Sequence, residues 1–148
     1  MSAPVPVGGA PVGHIDTLQP LEGLSVRALR RWCDGGREAL AEDLGCALGE
    51  GHGERAARAF DALCRHCLGG CRRPLMRHGG GCPCLGADEA AFAQLVQTAT
   101  EGEREDALML ACLMVRPDLA PSLVQLAQEA GLALRCALVS WQRPSALH

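Results

Sequence analysis

The 148-residue chain has no tyrosine, no lysine and no asparagine. Its only rings besides histidine are Trp32, Trp141, Phe60 and Phe92. This scarcity argues against a nucleic-acid module that stacks bases on rings. It also means that any core is built from Leu, Ala, Val, Met and Cys. All 14 basic residues are arginine, which with the 18 glycines fits the codon bias of a GC-rich, bacterial genome. Long apolar runs are missing as well. The longest, Ala107–Val115, falls far short of the roughly 20 residues that span a bilayer. No basic stretch followed by an apolar one opens the chain, so no secretory signal is expected. A soluble cytoplasmic protein without a membrane partner follows, and there thiols stay mostly reduced.

Motifs of catalysis are missing too. There is no Gly-x-Ser-x-Gly elbow, phosphate loop, dinucleotide fingerprint or His-Glu-x-x-His. No Glu-x-x-His pair of a di-iron bundle occurs. The sequence leans away from an enzyme. The formal charge of −3 argues against wholesale binding to nucleic acid. Arginines 55, 58, 65, 72, 73 and 77 nevertheless make Glu54–His78 basic. Close to the cysteines, they are expected to lower thiol pKa values.

What the chain does have is cysteine. Five of its nine cysteines, 64, 67, 71, 82 and 84, fall in one stretch with His66 and His78. Thiolate sulfur and imidazole nitrogen suit a tetrahedral zinc ion. Cys64-x2-Cys67 followed by Cys82-x-Cys84 is one residue short of a common zinc spacing. The expected ligands are Cys67, His78, Cys82 and Cys84, with Cys71 the first substitute. Cys64 lies one helical turn deeper and reads as core. The run Gly79–Gly81 bends the chain so that His78 and Cys82 reach one centre. Cys82-Pro83 matches the Cys-Pro that ends ferredoxin ligand runs, so an iron–sulfur cluster is the alternative cofactor, although the other spacings fit neither standard pattern. His14 is isolated in sequence and is left out of the set. His66 is expected to face solvent, Cys112 to be core, and Glu89 to serve the dipole of a helix start.

Periodicity predicts an all-α, single-domain bundle of about six helices. The cysteine-rich, metal-binding loop of residues 64–86 lies between the third and fourth. Residues 1–19 form an extended or flexible arm, and 20–148 the helical domain. The first helix opens at Pro20 with Leu21, Leu24, Ala28 and Trp32 on one face, and ends at Asp34-Gly35-Gly36. A second carries Leu40, Leu44, Ala47 and Leu48 and breaks at Gly49–Gly53. The third, from Glu54, buries Phe60, Leu63, Cys64, Cys67 and Leu68. The fourth, capped by Asp88, buries Phe92, Leu95, Val96 and Ala99. The fifth, Glu103 to Val115, is apolar all round and should be the most buried. The sixth carries Leu119, Leu123, Leu126, Ala127 and Ala130 and ends at Gly131. Beyond it the tail reads as helix or extended chain.

The functional expectation is a non-enzymatic, zinc-binding adaptor or regulator that works through a protein partner. A thiol-based redox or metal-responsive regulator is the alternative. A nucleic-acid-binding module ranks below both.

Overall fold

The computed structural model describes residues 11–142. Five helices dominate: α1 (Pro20–Leu48), α2 (Glu50–Gly70), α3 (Ala87–Thr100), α4 (Arg104–Met114) and α5 (Ala120–Gln142). Two short strands, β1 (Pro11–His14) and β2 (Cys84–Gly86), pair antiparallel. The molecule is therefore mostly helical, with a two-stranded ribbon at one edge. No helix among the described residues is long and apolar enough to cross a membrane.

The first two expected helices are one kinked helix. Gly36 sits at φ 76° and ψ −172° inside α1. Only glycine takes that conformation without strain, so the axis bends there without a loop. Gly49, at φ 89°, makes the sharp turn into α2. That helix starts at Glu50, and Gly51 and Gly53 lie inside it.

The expected faces of α1, α2 and α3 are largely buried, with Trp32, Ala47 and Leu48 half-covered at the margin and Leu68, in the last turn of α2, exposed instead. Leu21, Leu24, Ala28, Leu40, Leu44, Phe60, Leu63, Cys64, Cys67, Phe92, Leu95, Val96 and Ala99 all join one core. Phe60 and Phe92 meet edge to face, with centroids 5.8 Å apart, the arrangement aromatic quadrupoles favour. Asp88 is not the cap of α3; it sits in the first turn. Its carboxylate takes Arg73 at 2.6 and 2.9 Å and the Met76 amide at 2.8 Å.

Two expectations about the C-terminal half are corrected. The apolar helix, α4, is not the most buried one. It packs chiefly against α3 and α5. Small Ala107 and Ala111 are sealed in while Met109 is 68 % and Leu113 76 % exposed. Its packing neighbours, not its hydropathy, set which side is covered. Cys112 is accordingly half-buried. The central helix is α5, which packs on α1, α2, α3 and α4. It does not end at Gly131 but continues to Gln142. Gly131 lies where α5 crosses α3, and a β-carbon there would collide with Thr100 Oγ1. The glycine marks a close approach rather than a helix end.

Within the arm, Pro11–His14 is extended and paired, and Ile15–Thr17 forms one 3-10 turn before α1. Pro11 faces Gly86, Gly13 faces Leu85 and His14 faces Cys84, with a bulge between Pro11 and Gly13. The Ile15 amide continues the ladder to the Pro83 carbonyl at 2.9 Å. Ile15 and Leu85 bury against Val26 and Ala93 in a second, smaller core. The expected arm before Pro11 and the tail after Gln142 lie outside the described residues.

Candidate metal centre

The cysteine-rich stretch is less of a loop than its composition suggests. Cys64 and Cys67 are inside α2, Cys84 opens β2, and the irregular part runs from Cys71 to Pro83. Its start is tied to the end of α4: Cys71 bridges Val115, and the Arg72 amide donates to the Met114 carbonyl at 3.1 Å. Its end is tied to β1. The contacts among the candidate ligands fall into two groups.

The first group is Cys67 with Cys71. The Cys71 thiol donates to the Cys67 carbonyl at 2.9 Å. Cys67 is fully buried, and burial pushes its thiol up to about 12. The second group is His78, Cys82 and Cys84. The Cys82 amide donates to the Gly79 carbonyl at 3.0 Å, closing a turn over the glycines. That turn brings His78 Nδ1 to 4.0 Å from Cys82 Sγ. A hydrogen bond with the Cys82 thiol raises the Cys84 pKa, and burial adds to it. As the side chains stand, no three His, Cys, Asp or Glu groups among the described residues converge on one metal position.

His78 is only 4 % exposed. Its Nε2 is buried without a hydrogen-bond partner, and its Nδ1 has only the long contact to Cys82. A buried, unsatisfied polar atom costs about 1–3 kcal/mol, so this imidazole is the anomalous group in the region.

The residues that hold the site were not expected from the sequence. Arg30, from α1, and Glu89, from α3, form a buried ion pair with side chains 1 % and 0 % exposed. Arg30 also donates to the Cys82 carbonyl at 2.6 Å and the Cys84 carbonyl at 2.7 Å. Glu89 accepts the His78 amide at 3.1 Å and the Gly86 amide at 3.0 Å. Glu89 does stand at a helix start, but its main work is to fix the backbone of His78, Cys82 and Cys84 through this pair. The signal in the sequence was an arginine between Leu29 and Trp32, on the buried side of a helix, since such a charge requires a buried partner.

No family model, curated protein or solved structure matches the chain.

The arginines do not activate the thiols as expected. Burial outweighs them. Desolvation raises Cys33 despite the neighbouring Arg77, and raises Cys71 despite Arg73. Cys64, sealed in the core, is raised well above the ordinary thiol value by burial. Five of the six basic side chains in this segment are engaged within the protein. Arg55 meets His52, Arg65 meets Asp61, Arg72 meets the Cys112 carbonyl, Arg73 meets Asp88 and Arg77 meets Asp34. His66 is half-buried, not solvent-facing, and its Nε2 lies 3.2 Å from the Leu119 carbonyl.

Proposed function

We propose that this chain is a small, non-enzymatic zinc-binding helical protein of the cytoplasm, an adaptor or regulator acting through a protein partner. The zinc ligands are drawn from His78, Cys82 and Cys84; Cys67 and Cys71 belong to the separate α2–α4 junction. The observation that carries the reading is the buried, half-satisfied His78 ring beside Cys82. Around tetrahedral zinc, bonds of about 2.3 Å to sulfur and 2.0 Å to nitrogen put those donors about 3.5 Å apart. The Nδ1 to Sγ separation here is 4.0 Å. Small side-chain rotations on a backbone already held by Arg30 and Glu89 close the gap. Zinc binding releases the thiol protons and replaces the long Nδ1 contact of the imidazole with a coordinate bond. The exposed Met109 and Leu113 of α4 favour a protein partner over nucleic acid, as does the internal pairing of the arginines.

The test is zinc analysis of untagged protein, with the variants His78→Ala, Cys82→Ser, Cys84→Ser and Cys71→Ser. The expected result is one zinc per chain, lost in the first three variants and kept in the fourth. Absence of zinc from the wild type, or an iron–sulfur absorption band in its place, overturns the proposal. The alternative is a thiol-based redox regulator, favoured by the hydrogen-bonded and only half-buried pair Cys82 and Cys84.

A further inference from the structure

We infer that His14, carried by the N-terminal strand, is the fourth protein ligand of the zinc held by His78, Cys82 and Cys84. The inference rests on the metal reading above and adds the residue that closes the coordination sphere.

The ribbon register carries it. The Ile15 amide donates to the Pro83 carbonyl at 2.9 Å, which makes Ile15 and Pro83 a hydrogen-bonded pair. Antiparallel ladders alternate, so His14 and Cys84 form the adjacent, non-hydrogen-bonded pair. In such pairs the α-carbons approach to about 4.5 Å and the side chains stand close together on one face. The alternation also fixes which face. Ile15 and Leu85 point inward and are buried, so His14 and Cys84 point outward. Cys82 precedes the strand, and its thiol lies within hydrogen-bond reach of the Cys84 thiol. His14 is exposed, and no hydrogen bond holds its ring among the described residues. The same ribbon edge therefore presents His14 opposite Cys84, with Cys82 beside it and the His78 ring 4.0 Å from Cys82.

Two thiolates and two imidazoles make the closed, tetrahedral sphere of a structural zinc site. When the ion enters, both thiols lose their protons to solvent, and the two neutral imidazoles each give a lone pair. The shell beneath is built. Arg30 holds the carbonyls of Cys82 and Cys84, and Glu89 holds the amide of His78, the kind of support that orients ligands. A site spanning β1 and the glycine turn also clamps the N-terminal strand onto β2.

The experiment uses the full chain and measures zinc affinity against a competing chelator, with the visible spectrum of the cobalt(II) form. The variants are His14→Ala, His14→Cys and, as a control, His52→Ala. The expected result for His14→Ala is a loss on the order of a hundredfold or more, beyond the effect of supporting groups, with a cobalt spectrum altered by an incoming water. His14→Cys restores affinity and shifts the cobalt bands through a third thiolate, while His52→Ala matches the wild type. Helicity and melting of the metal-free His14→Ala protein should equal those of the metal-free wild type. Wild-type affinity and spectrum in His14→Ala overturn the fourth ligand and leave the three-ligand reading standing. A loss that His14→Cys fails to restore, together with a lower melt of the metal-free variant, assigns His14 to the ribbon alone and overturns the inference. No zinc in the wild type overturns both.

Discussion

The guanidinium of Arg30 grips the carboxylate of Glu89 through two hydrogen bonds, Nε to Oε2 at 2.7 Å and a terminal nitrogen to Oε1 at 2.9 Å. Between them the two side chains also satisfy four backbone groups of the segment from His78 to Gly86. Removing one partner of a buried pair costs about 3–5 kcal/mol. Arg30→Ala is therefore expected to lose that much in urea unfolding. Arg31→Ala, whose pair with Asp43 is half in solvent, should lose about 0–1 kcal/mol. Buried pairs can often be replaced by apolar side chains at little cost, but here the double replacement also strands backbone carbonyls and amides. An Arg30→Met, Glu89→Leu protein should remain clearly destabilised. Wild-type stability in that double variant would show that the loop does not depend on the pair.

Glu89 also gives the protein a pH dependence. Burial alone would push its carboxyl up, but hydrogen bonds from Arg30 and from the Gly86 and His78 amides outweigh burial and hold it below the usual glutamate value. A folded-state pKa below the unfolded one favours the folded state wherever the carboxylate is ionised in both. The contribution is complete above the ordinary value of about 4.3 and disappears as pH falls through the lower, folded value. Denaturation across a pH series should show stability falling on the acid side in the wild type and a flatter acid limb in Glu89→Gln. Parallel acid limbs would contradict the assignment.

Dilute peroxide on metal-free protein should join Cys82 to Cys84. One thiolate attacks a peroxide oxygen, the O–O bond breaks and a sulfenic acid forms with loss of water. The second thiolate then displaces the sulfenic oxygen, forming the S–S bond and releasing a second water. Cys64 and Cys67 are fully buried, with thiols pushed up by burial, so they should stay reduced. Trypsin separates the cases, because the peptide His78–Arg104 carries no other cysteine. It should lose two hydrogens in mass while the peptide His66–Arg72 is unchanged. Zinc-loaded protein should resist the same treatment. Oxidation of Cys67 and Cys71 first would reverse this order.

Gly131→Ala tests the helix crossing. Alanine is the better helix former by about 1 kcal/mol, but its β-carbon meets Thr100 Oγ1. Overpacking costs about 1–3 kcal/mol, so a net loss is expected in thermal melts. Thr100→Ser keeps that hydroxyl and should not rescue it, whereas Thr100→Ala should recover part of the loss. A Gly131→Ala protein more stable than wild type would mean that the two helices can separate freely.

The core faces of α1, α2 and α3 were legible because apolar residues recur there at helical spacing, from Leu21 and Leu24 to Phe92 and Val96. The turn joining His78 to Cys82 was legible from Gly79–Gly81. The rest depended on contacts between distant segments. Gly36 and Gly131 look alike as breakers, yet one kinks a helix and the other lets two helices touch. The apolar run of α4 says that the segment can be buried, not that neighbours exist on every side. The pairing of His14 with Cys84 left no local trace, since proline and glycine before His14 suggested irregular chain. Arg30 and Glu89 are read correctly only together, and nothing in either neighbourhood names the other.

The ribbon that sets His14 against Cys84 encloses all of α1 and α2 between its strands. Closing so long a loop is entropically costly until the helices have docked, so this contact belongs to the last stage of folding. Interactions made after the transition state slow unfolding and leave the folding rate nearly unchanged. Whatever grips the ribbon therefore acts as a latch on the lifetime of the native state, and stopped-flow traces should register it in the unfolding limb alone.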